Sequence, residues 1–148
     1  MIIITFVAQI KTNSFVMEKQ KLNIERVLHS SSQGIIWNFI SSPEGMTRWL
    51  ADKVEGAGGE LTFTWGDLWR HHEIRKARIV KQSKNNYIRF RWEDEEDPNA
   101  YVELRIEKNE LTNDYILLIT DFAYEDDIES LQDLWEDNLE RLHRNTGI

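Results

Sequence analysis

Trp69-Arg70-His71-His72-Glu73 is the stretch of this chain whose residue types could do chemistry. Histidine titrates near neutral pH, and a neighbouring carboxylate can steer its proton. On a strand, successive side chains point to opposite faces. His71 and His72 therefore cannot grip one metal ion together. His71 and Glu73 share a face, and Arg75 can join them. Such a trio at a pocket mouth could work as an acid–base group. A solvated strand face is the plainer reading and takes precedence, because tuned sites are rare beside ordinary surface charge. His29 and His143 have no evident partners. Glu93-Asp94-Glu95-Glu96-Asp97 precedes Pro98 but lacks the alternating ligands and turn glycine of a calcium loop. It reads as a solvated, self-repelling loop, with weak docking of a basic partner as the rival. There is no glycine-rich phosphate loop, no Gly-x-Ser-x-Gly elbow and no His-Glu-x-x-His pair. Ser30 to Ser32 fit helix capping better than nucleophilic catalysis. No catalytic group, cofactor or metal site is nominated, so the leading reading is non-enzymatic.

Binding is better supplied. The chain holds six tryptophans, many for 148 residues, and large aromatics dominate cores and pocket walls. Trp37 and Trp135 read as core, and Trp49, Trp65 and Trp92 as pocket walls suited to a flat or greasy ligand. A filled core without a cavity is the competing reading, since interiors normally pack densely. Asn138 adds a polar point. At 100° per residue it falls between Leu131 and Leu134 on the buried face of the last helix. A buried amide needs partners. Either it bonds a strand carbonyl, or it anchors a ligand under the helix. The candidate ligand-contacting residues are thus Trp49, Phe63, Trp65, His71, Trp92, Trp135 and Asn138.

The elements that would position these residues are legible in outline. Leu22 to Leu28 give a mixed strand pattern. Ser30-Ser31-Ser32-Gln33 offers a capping box, with Ser30 accepting and Gln33 reaching back. Ile35, Ile36, Phe39 and Ile40 then follow at helical spacing. Ser42-Pro43-Glu44 opens a second short helix, lined by Met46, Trp49 and Leu50. After Asp52 the period becomes two. Leu61, Phe63 and Trp65 alternate with polar residues, and Gly66-Asp67 predicts a tight hairpin. A long polar strand from Leu68 to Lys81 follows, then a turn at Lys84-Asn85-Asn86. Ile88, Phe90 and Trp92 form the next strand, and Val102, Leu104 and Ile106 another. Tyr115 to Phe122 is apolar on both parities and predicts a central strand covered on both faces. Asp126 is the expected cap of a closing helix whose stripe comprises Ile128, Leu131, Leu134, Trp135, Leu139 and Leu142. Basic residues in its last turn and Gly147 beyond complete the signal.

Bulk properties narrow the function classes. Apolar residues make up 41%, enough for one core. The absence of cysteine excludes disulfides, thiolate zinc sites and cysteine nucleophiles, and fits a reducing compartment such as the cytoplasm. A net charge of -8 opposes nucleic-acid binding, which needs a basic footprint, and equally an anionic membrane surface.

These segments resemble the START-like, helix-grip superfamily, nearest to the homologues of the heat-shock-chaperone ATPase activator. The matching stretches are Ile36-Trp37, Ser42-Pro43-Glu44-Gly45 to Trp49-Leu50, and Gly58-Gly59 to Phe63-Thr64-Trp65. Ala77-Arg78-Ile79-Val80 leading to Ile88-Arg89-Phe90-Arg91-Trp92, and Trp135 to Leu142, complete them. The resemblance spans about Lys19 to Arg144. It implies an α+β fold, with a curved antiparallel sheet wrapped around a long C-terminal helix and two short helices near the N-terminus. It also implies an apolar cavity between sheet and helix. It does not choose among a small apolar ligand, a protein partner like those of the chaperone activators, and a cyclase-like or hydrolytic enzyme.

The first ten residues are nearly all apolar, too few for a bilayer span of about 20. They lack the basic start and cleavage site of a signal peptide. Met17-Glu18-Lys19-Gln20-Lys21 reads as a natural start, which makes 1–16 a leader and 17–148 a single domain. An export signal or an extra edge strand are the rivals. Deleting 1–16 should then shift the melting temperature by no more than about a degree or two. A loss of several degrees would make the segment a real strand.

Overall fold

The computed structural model describes residues 18–67 and 69–148. The leader segment 1–16 and Met17 lie outside the described residues. Strand β1 (Gln20–Val27) is followed by helices α1 (Gln33–Ser41) and α2 (Pro43–Met46). Six strands succeed them: β2 (Lys53–Ala57), β3 (Glu60–Gly66), β4 (His72–Ser83), β5 (Tyr87–Trp92), β6 (Val102–Lys108) and β7 (Tyr115–Ala123). Helix α3 (Ile128–Thr146) closes the chain after a 3-10 turn at Glu125–Asp127. The seven strands form one antiparallel sheet in the order β1-β7-β6-β5-β4-β3-β2. Both short helices therefore bridge its two edge strands. The fold is the α+β helix grip expected from the resemblance. Among the described residues no helix is long and apolar enough to cross a membrane.

Period-two alternation decides which side chains enter the core. Ile24, Ile119, Leu104 and Ile88 stand opposite one another across β1, β7, β6 and β5. All four are buried, so one inward row ties four strands. Ile36 and Ile40 of α1, Met46 of α2, and Trp135, Leu139 and Leu142 of α3 pack onto the same core. Each such side chain contributes roughly 1.5–3 kcal/mol by leaving water. The convex face is largely polar by the same alternation, with Ile116 and Leu118 of β7 as apolar exceptions. There Glu103 is buried between Arg89, at 2.9 Å, and Arg105, at 3.2 Å. Burial works against its charge, but the Arg105 and Arg89 guanidiniums hold its carboxyl below the usual range.

Four local expectations shift. The cap of α1 is Ser32, which accepts from Ile35 N–H at 3.3 Å, while Ser30 accepts from Ser32 N–H and Gln33 donates to the Asn85 carbonyl. The helix therefore starts about half a turn later than a Ser30 cap implies. The β3–β4 connection runs over 67–71 instead of turning at Gly66-Asp67, because Gly66 pairs with His72. Gly66 has φ 88°, and a Cβ there would lie 2.6 Å from the His71 carbonyl oxygen. The two-residue hairpin sits instead at Gly58-Gly59, φ 60° and 82°, which joins β2 to β3. Strand β7 lies one place from the sheet edge, with Leu117 and Ile119 buried but Ile116 and Leu118 only half-buried. Its second apolar row faces outwards. Asp126 falls in the 3-10 turn, so α3 begins at Ile128. Its other end is as expected: Gly147 is left-handed and its N–H donates to the His143 carbonyl.

Candidate functional site

A cavity of about 80 Å³ lies between the concave face of the sheet and α3. Alternate strand positions build one wall: Phe63 and Trp65 on β3, Arg75 on β4, Phe90 and Trp92 on β5, Asp121 on β7. The helix supplies the other wall from Leu131, Leu134, Trp135 and Asn138, spaced to share one face. Leu50, from the segment after α2, completes the lining.

The aromatic wall is a packed cluster. Phe63 stands edge-on to Trp92 at 5.0 Å and stacks with Phe90 at 5.6 Å and Trp65 at 5.9 Å, centroid to centroid. Offset and edge contacts of this kind add about 0.5–1.5 kcal/mol per pair beyond burial. Trp65 Nε1 donates to the Leu50 carbonyl at 3.1 Å, which fixes its indole plane. Across the cavity Trp135 Nε1 donates to Asp121 Oδ2 at 2.8 Å. The other Asp121 oxygen accepts from the Phe122 backbone N–H at 2.7 Å. Burial pushes the Asp121 carboxyl up to about 6, against the pull of the Trp135 indole and the Phe122 amide.

Arg75 stands at the mouth. Its guanidinium lies 4.0 Å from the centre of the Trp92 ring. It also binds Asp94 through two nitrogens, at 2.8 and 3.2 Å. That fork holds the Asp94 carboxyl below its ordinary range. The acidic run is thus tied down instead of freely solvated. Lys19 Nζ pairs with Glu95 at 2.8 Å, and buried Asp97 accepts from the backbone N–H groups of Lys19 and Asn99.

Asn138 is only 7% exposed and forms no side-chain hydrogen bond among the described residues. Among the described residues no side-chain polar atom wholly shut off from solvent lacks a partner. The Asn138 amide therefore opens onto the cavity it lines. Asn138→Leu should leave stability unchanged or raise it, because it removes a poorly solvated amide without orphaning a partner. Urea denaturation checks this. A loss of about 1–3 kcal/mol would mean that the amide holds a structural bond.

Of the residues singled out in the sequence, Phe63, Trp65, Trp92, Trp135 and Asn138 line this cavity. Trp49 does not. It is fully buried, its Nε1 donates to the Phe39 carbonyl at 2.9 Å, and its ring lies 6.1 Å from that of Trp135. It is core, because the chain after α2 turns that face inwards. His71 is exposed in the β3–β4 connection and stands outside the lining. Glu73 is exposed as well, so Arg75 alone of the trio reaches the cavity. His29 and His143 do meet, with ring centroids 5.2 Å apart, beside an open groove of about 330 Å³ between β1 and α3. Among the described residues no three His, Asp or Glu side chains are placed to hold a metal ion. Asp121 was not singled out. Its signal was present: it continues the inward row of Leu117 and Ile119, so a carboxylate had to enter the core side.

The cavity is about half the size of a ~150 Å³ apolar hole that admits benzene, and well below the roughly 300 Å³ of a pocket for a drug-sized ligand. It can take a compact group of a few heavy atoms, not a whole lipid.

Residues 16–148 match the START-like superfamily domain. The chain is similar to a protein from Bacteroides fragilis solved in solution by NMR, at 40% identity and a TM-score of 0.59, over 86% of this chain and 91% of that one. The Aha1 dimer from Colwellia psychrerythraea shares the fold at 14% identity and TM-score 0.67, over 86% and 98%. CalU16 from Micromonospora echinospora shares it at 18% identity and TM-score 0.65, over 86% and 76%. Comparison with the curated proteins gives no match.

Proposed function

The chain belongs to the START-like superfamily, and from that premise we propose that it is a non-enzymatic domain binding a small, largely apolar molecule between sheet and closing helix. One observation carries this reading. Five aromatic side chains and three polar ones converge on one partly open cavity. Pockets of this composition bind through apolar area and take orientation from a few polar groups. The aromatic residues supply the area, and Asp121, Asn138 and Arg75 supply the polar points. Leu134, half exposed at the rim, lets the rest of a ligand run outwards over the helix. The His71–Glu73–Arg75 trio is not assembled around the cavity, so no catalytic step is assigned to it.

A protein-interaction role is the second reading. It rests on Trp69, 93% exposed in the β3–β4 connection, since bare tryptophans are enriched where partners dock.

Native mass spectrometry of protein purified from its own host separates the two. A bound small molecule that is retained by Trp69→Ser and lost from Asn138→Leu supports the binding domain. A protein partner lost from Trp69→Ser, with no small molecule on either form, would replace it with the interaction module.

A further inference from the structure

The chemistry of the cavity restricts what can enter it. Among the described residues Asp121 is the only carboxylate in its lining. Each of its oxygens accepts one bond, from Trp135 Nε1 and from Phe122 N–H. A carboxylate offers about four acceptor positions, so acceptor capacity is left facing the cavity. Among the described residues no Lys, Arg or His pairs with it. Arg75, the cation in the lining, binds Asp94 through Nε and Nη2, and its guanidinium carbon lies 4.0 Å from the centre of the Trp92 ring. Lys19 is committed to Glu95. Lys19 and Arg75 attract the Asp121 charge from a distance, but among the described residues neither donates a hydrogen bond to it, so its open acceptor positions have no cationic partner. Arg75 already stands over the Trp92 ring and Trp135 turns its Nε1 edge to Asp121, so the rings supply apolar area and Asp121 supplies the charge.

Three ligand classes can be compared on these facts. An anion would meet Asp121 with no free cation to offset it. A neutral hydrocarbon would gain the aromatic contacts but leave the half-buried Asp121 carboxylate without a donor at its open acceptor positions. A protonated amine satisfies both walls: its N–H groups donate to Asp121, and its stem packs among the rings. A quaternary ammonium meets the rings but has no N–H to give. We propose that the ligand of this site is a compact protonated primary or secondary amine, held by Asp121 with its apolar stem among Phe63, Trp65, Trp92 and Trp135. Asn138 stands across from the carboxylate wall, where its amide oxygen can accept a second N–H. The assignment rests on the binding role proposed above and gives its ligand a charge.

The test is calorimetric titration at pH 7.5 with three probes of similar size: isobutylamine, isobutanol and tetramethylammonium. Intrinsic tryptophan fluorescence gives a second readout. Isobutylamine should bind at least about tenfold more tightly than either other probe, as a charge-assisted hydrogen bond provides. In Asp121→Asn the preference of isobutylamine over isobutanol should fall to within about twofold, whatever the absolute affinity of either. Equal binding of isobutylamine and isobutanol to the wild type would overturn the amine assignment and leave the binding domain standing. So would a preference that survives Asp121→Asn. Binding of none of the three to the wild type would overturn both. The wild-type comparison decides the matter even if the variant does not fold.

Discussion

Trp135→Ala is expected to destabilise the protein by about 3–5 kcal/mol, the range for removing a large aromatic from a packed interior. Trp135 is 5% exposed and touches two structures at once. Its ring lies against Trp49 in the core, and its Nε1 donates to Asp121 on β7. Truncation would enlarge the cavity beneath α3 by much of an indole's volume. It would also strip the carboxylate of one of its two donors, which leaves a desolvated charge less compensated. Chemical denaturation at neutral pH measures the loss. A cost below about 1 kcal/mol would remove Trp135 from the interface between helix and sheet and would undermine the grip itself.

The second large effect is a pH dependence centred on Asp121. Its carboxyl sits near 6, against an ordinary value of 3.8, because burial disfavours its charge. The folded state therefore holds this proton more tightly than the unfolded state does. Between about pH 4 and 6 the native protein binds more protons, so this group's contribution to stability falls as pH rises through that window. A shift of roughly two units corresponds to a cost on the order of 2–3 kcal/mol above pH 6, with none below pH 4. Asp94, Asp97 and Glu103 act the other way. Their carboxyls are held low, so the stability they provide is lost as pH falls. The difference between wild type and Asp121→Asn isolates the one group. Urea melts should show the variant more stable by about 2–3 kcal/mol at pH 8 and nearly equal at pH 4. A variant equally destabilised at both pH values would show that the Trp135 and Phe122 hydrogen bonds balance the burial of charge and leave the carboxyl unshifted. Such a gain on removing a polar group would mark Asp121 as retained for binding at the expense of stability.

Much of this arrangement was written in the sequence at the level of period and order. Leu61, Phe63 and Trp65 declare an inward face by alternation alone, and so do Ile88, Phe90 and Trp92. The α3 stripe placed both Trp135 and Asn138 on its buried side. Local turn chemistry was less legible. Gly66-Asp67 carries a tight-hairpin signal, yet the strand register puts Gly66 opposite His72 and pushes the turn outwards. Ser30, Ser31 and Ser32 all have the chemistry of a cap, and only the packing of Ile36 and Ile40 selects Ser32. Trp49 and Trp65 are alike in sequence. Which of them meets the cavity depends on how the segment after α2 turns, a tertiary matter. Asp121 was the instructive omission. In a strand apolar on both parities a single acid looks like an edge or a solvent position. Its meaning emerges only when α3 crosses it and Trp135 donates to it.

The central claim is that the space beneath α3 receives a small molecule. Its most direct test follows the tryptophan indole N–H resonances of ¹⁵N-labelled protein during titration with isobutanol, a neutral probe that does not presuppose the amine. Saturable shifts should appear at Trp65, Trp92 and Trp135, which line the cavity, while Trp37 and the exposed Trp69 stay in place. Shifts confined to Trp69, or no saturable shift at the three cavity indoles, would contradict the claim.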